Sequence, residues 1–124
     1  MSKRFFAVGF SVLFAVSAFA ACGDDTESTV DCATVTPKGY SELSVAFGKC
    51  TSCHNSSLTD LVSRANAPLE YNYDTYEEAK KFPEKLLGTL EDDATFPMPP
   101  ATDVQLTATE KADLQAWAGC DTPE

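Results

Sequence analysis

The sequence predicts a small all-α domain, and three observations carry that expectation. Apolar residues recur at helical spacing, and no strong run of alternating apolar and polar residues marks a half-buried strand. Helix-starting and helix-stopping residues bracket several of these patterns. Pro97, Pro99 and Pro100 set a stiff, extended loop before the last helix, because proline fixes its own backbone and restrains the residue before it.

The chain of 124 residues is long enough for one domain. Its first segment is expected to be removed. Lys3 and Arg4 precede an uncharged stretch from Phe5 to Ala21, which ends in small residues and is followed by Gly23-Asp24-Asp25. That is the layout of an export signal; a retained transmembrane anchor is the alternative, at the short edge of spanning length, about 17–25 residues. Ala18-Phe19-Ala20 allows cleavage after Ala20. Phe19-Ala20-Ala21-Cys22 instead resembles a bacterial lipobox, with Phe19 where leucine is usual. That resemblance implies a lipidated Cys22 as the first mature residue. The expected organisation is a signal over 1–21, an acidic tether and N-terminal segment over 22–38, a helical domain over 39–120 and a tail over 121–124.

Within the domain, Leu43, Ala46, Phe47 and Cys50 share one face of a helix from about Ser41 to Ser52. Leu58, Leu61, Val62 and Ala65 suggest a second, short helix. Asp74 with Glu77 is a capping pair for a third, near Thr75 to Phe82. Pro83 suits the first position of a fourth, through Leu90. Thr107 and Glu110 form a capping box for the last helix. Leu114, Trp117 and Ala118 line its inner face, and Gly119 stops it.

Composition removes some functions. A net charge of −10 disfavours nucleic acid as a partner. One histidine cannot build a multi-histidine metal site. Of five cysteines, Cys50 and Cys53 are a local pair, and Cys22 is accounted for by lipidation. Cys32 and Cys120 are expected to form a disulfide in an oxidising compartment, the alternative being two free buried thiols.

Cys50-Thr51-Ser52-Cys53-His54 is C-x-x-C-H, the signature of c-type haem attachment. Two thiols at this spacing can each add to a haem vinyl group, and the adjacent histidine then supplies the proximal iron ligand. Thiol–disulfide exchange and a zinc site completed by Cys32 and Cys120 are the competing readings; neither a βαβ setting nor a second C-x-x-C supports them. Met98, in the proline loop, is the expected sixth ligand, against the reading that it fills a core gap. Lys80, Lys81 and Lys85 are weaker candidates and are expected in solvent.

On these residues the chain resembles class I monohaem c-type cytochromes of the bacterial periplasm. The resemblance spans about Gly39 to Gly119 and rests on Cys50, Cys53 and His54, on Met98-Pro99-Pro100, and on Leu114 and Trp117 before Gly119. It implies a helical domain around one covalent haem c, with N- and C-terminal helices crossing. It also implies a proline carbonyl, Pro68 being the candidate, holding the His54 ring. The expected function is one-electron transfer without substrate turnover, in the cell envelope of a Gram-negative bacterium. Redox proteins with basic docking faces, and the membrane, reached through the N-terminal lipid, are the expected partners. A haem-based sensor with a displaceable Met98 and a haem-free, disulfide-stapled surface lipoprotein are the alternatives.

Overall fold

The computed structural model describes residues 30–124, so the expected signal, Cys22 and the start of the tether lie outside the described residues. A turn at Asp31 leads through extended chain to Gly39. A 3-10 turn, Tyr40–Leu43, then runs directly into α1, Ser44–Gly48. A long irregular segment follows. Next come α2, Tyr76–Ala79, α3, Pro83–Thr89, and, after the proline loop, α4, Ala108–Gly119. Among the described residues there is no strand.

The core forms where α3, α4 and the Tyr40–Gly48 segment meet. Leu43, Ala46 and Phe47 pack with Leu86, Leu87 and Leu90 and with Leu114, Trp117 and Ala118. Phe47 meets Trp117 edge-on at 5.1 Å, and Tyr40 covers Phe47 at 4.7 Å. The C-terminal tail closes this end. The Trp117 indole donates to the Pro123 carbonyl at 2.7 Å, and the Tyr40 amide donates to the same carbonyl at 3.0 Å. A Cβ on Gly39 would sit 2.3 Å from the Glu124 backbone oxygen, so this crossing admits only glycine. Cys32 and Cys120 are joined by a disulfide, their Cα atoms 5.6 Å apart.

The helix starts read from Pro83 and from Thr107 with Glu110 are present. Other expectations need correcting. The first helix is split into a 3-10 turn and a short α-helix ending at Gly48, and tight turns carry the chain on to His54. Thr75, not Asp74, caps α2, since Asp74 is drawn to the Ser56 amide and hydroxyl at 3.0 and 2.6 Å. The segment around Leu58 to Ala65 is no helix. Ala65 and Asn66 have φ of 49° and 67°, a left-handed turn that ends any helical run.

The start of α4 makes stability acid-sensitive. The Glu110 carboxylate accepts from the Lys49 ammonium at 2.7 Å and from the Thr107 amide at 2.6 Å. Lys49 first, then Thr107, holds its pKa down at about 2. A carboxyl depressed in the folded state stabilises the fold above its unfolded pKa, and that contribution fades as pH falls toward the folded value. Acid titration followed by circular dichroism should therefore show stability falling between about pH 4.5 and pH 2, and Glu110→Gln should flatten that fall.

Candidate functional site

The chemistry-bearing residues are brought to one place by local backbone geometry. After α1 the chain stays wound: the Cys50 amide donates to Phe47 at 2.8 Å and the His54 amide to Cys50 at 2.9 Å. Met98 arrives from the proline loop, where its amide donates to the Thr89 carbonyl at the end of α3 at 3.0 Å. Cys50, Cys53, His54 and Met98 thereby line one cleft of about 510 Å³. Much of the remaining wall is apolar or aromatic, including Tyr71, Tyr73, Leu86, Leu90, Phe96 and Pro99.

His54 is held from several directions. Its Nδ1 lies 2.9 Å from the Tyr71 carbonyl. A carbonyl only accepts, so Nδ1 carries the proton and Nε2 keeps the lone pair of the neutral ring. The His54 carbonyl accepts from the Tyr73 amide at 2.9 Å, and the two rings sit 5.2 Å apart. Burial lowers the imidazole pKa; the Tyr71 carbonyl opposes that shift and the nearby Arg64 charge adds to it. The expected Pro68 contact is corrected: the Pro68 carbonyl accepts from Arg64 instead, at 2.6 Å.

Arg64 escaped the reading of the sequence. It is fully buried, yet it makes no ion pair among those of the described residues. Its guanidinium reaches the carbonyls of Asn55, Leu58, Ala67, Pro68 and Tyr71 and the Asn72 side-chain oxygen, at 2.6 to 3.3 Å. Nothing in the periodicity around Arg64 signals this, because an arginine on a surface helix has the same pattern.

The Cys50 thiol is not poised for exchange chemistry. Cys50 and Cys53 are both free, and burial pushes the Cys50 thiol up to about 11. An attacking cysteine needs the opposite, a pKa lowered toward neutrality. Of the lysines, Lys80 and Lys81 pair with Glu77 and Glu78, and Lys85 lines the cleft.

The expectation of covalently bound haem c as the cofactor is corrected. Among the described residues no three His, Cys, Asp or Glu side chains gather into a group that could hold a metal ion. Two of the thiols are spent on each other in the Cys32–Cys120 disulfide, which also removes the four-ligand zinc alternative. The physical reason is donor grouping. The cleft is lined by one imidazole, one thioether, the Cys50 and Cys53 thiols and the Asp103 carboxylate, and among the described residues no three His, Cys, Asp or Glu side chains come close enough together to hold a bare ion. Haem c is therefore not assigned to the chain. No protein-family model, curated protein or solved structure matches it.

Proposed function

We propose that the chain is a one-electron carrier of an extracytoplasmic electron-transfer chain, and not an enzyme. One observation carries the reading: Met98, distant in sequence from Cys50, Cys53 and His54, lines the same cleft as they do. The resemblance in sequence to class I c-type cytochromes supports it. His54 and Met98 are the imidazole and thioether donors of the cleft, and the neutral His54 ring presents its Nε2 lone pair. The apolar wall around them would exclude water and so limit the solvent reorganisation that accompanies each electron.

Electron donor and acceptor are proposed to present basic faces, because a chain of net charge −10 steers such partners toward itself. A lipid on Cys22 would keep the domain beside membrane-bound donors. Among the described residues no helix is long and apolar enough to cross a membrane.

The test is voltammetry of the mature protein. A reversible one-electron wave is expected. Met98→Ala should lower its midpoint on the order of 100 mV, because a thioether donor favours the reduced state. A redox-silent protein whose Cys50 and Cys53 both react with an alkylating reagent would overturn the reading. Ready binding of carbon monoxide by the reduced wild type would replace electron carriage with ligand binding.

A further inference from the structure

We infer that Arg64 is a positioning residue for His54, acting through the Tyr71 carbonyl that both side chains share. The inference rests on the proposal that His54 is the working donor of the cleft. A buried guanidinium is costly, and a well-packed apolar side chain commonly replaces a buried charge at no loss of stability. Arg64 is nevertheless fully buried, and all five of its N–H groups have acceptors in range. Every acceptor comes from residues 55–72, the segment that leaves His54 and returns to it. No carboxylate is among them, so the positive charge is not neutralised locally. Asp74, which feels it, is occupied by Ser56.

The shared carbonyl is the decisive contact. Tyr71 O receives His54 Nδ1 at 2.9 Å and Arg64 Nη2 at 2.8 Å. A carbonyl oxygen has two lone pairs, and both are then used. Its direction is fixed by the arginine, so the imidazole that donates to it has one orientation and one tautomer. A cationic donor also draws electron density from that oxygen. The carbonyl then pulls less strongly on the Nδ1 proton, and Nε2 stays a neutral imidazole donor without imidazolate character.

His54 is the sole histidine of the chain, so imidazole-selective ¹⁵N labelling reports on it alone. The wild type should show a single Nδ1-protonated tautomer with a slowly exchanging Nδ1 proton. Arg64→Met should move the Nδ1 resonance and speed that exchange by about tenfold, the worth of one ordinary hydrogen bond. Arg64→Lys, which keeps the charge, should restore part of both. If Arg64→Met leaves the Nδ1 shift and exchange at wild-type values, Arg64 is a loop brace only and the inference fails. Should that variant not fold, judged by near-ultraviolet dichroism of Trp117, labelling of tyrosine carbonyls in the wild type decides. Tyr71 should give the furthest-downfield of the four tyrosine carbonyl signals if it accepts two donors, and a signal among the others would refute the sharing. A redox-silent protein would sink the electron-carrier reading and leave these imidazole results standing.

Discussion

Trp117→Ala should destabilise the domain by about 3–5 kcal/mol, a large share of the 5–15 kcal/mol typical of a folded domain. Trp117 is wholly buried on α4 and belongs to the core cluster. Its ring meets Phe47 of α1 at 5.1 Å and Tyr40 at 6.4 Å, and its indole N–H is the donor that ties down Pro123. Truncation would open a cavity too large for these short helices to close and would strand the Pro123 carbonyl with one donor fewer. Urea unfolding monitored by circular dichroism gives the number. Trp117→Phe separates the two effects: it keeps most of the ring and loses the N–H, so it should cost clearly less. A loss below about 1 kcal/mol for the alanine variant would show that the α1–α4 junction does not hold the fold. Because Cys50 follows in the turn just after α1, this junction also sets the position of the cleft wall.

Opening the Cys32–Cys120 bond should cost about 4 kcal/mol in the chain-entropy model, because the bond closes a loop with a sequence separation of 88. Cys32→Ser is the cleaner variant, since Cys32 is exposed and Cys120 is buried. Its urea midpoint should fall well below that of the wild type. Neither bridging cysteine lines the cleft. The midpoint potential of the folded variant should therefore match the wild type even as stability drops. Equal urea midpoints for variant and wild type would mean that the bridge constrains nothing the core does not already fix.

Much of the helical frame was legible in the sequence because it depends on local rules. Thr107 with Glu110 starts α4, Pro83 starts α3, and Leu114, Trp117 and Ala118 are buried as their spacing requires. The meeting of Cys50, Cys53, His54 and Met98 was likewise expected, from motif chemistry. The segment after His54 was not legible. Leu58, Leu61, Val62 and Ala65 repeat at helical spacing, yet Val62 is 89% exposed and the Leu58 carbonyl faces Arg64 in place of a helical amide. Periodicity records where apolar residues fall and is silent about a cation that draws carbonyls out of helical register. The same cation takes Pro68 away from His54 and leaves Tyr71 in its place. The donor count of the cleft was also beyond the motif, since C-x-x-C-H does not say how many groups the fold gathers.

The segment from Asn55 to Asn72 has an unusual dependence. Leu61, Val62 and Leu69 are exposed, so little hydrophobic burial holds it in place. Its carbonyls converge on one side chain. Backbone held by many independent contacts frays piecemeal, whereas backbone hung on a single hub opens all at once or not at all. The amides of Asn66, Ala67 and Tyr71, with that of Tyr73 on the His54 carbonyl, are therefore expected to exchange together, below the protection of the core, in a hydrogen-exchange experiment. The wall of the cleft on that side would then have two states and no graded intermediate.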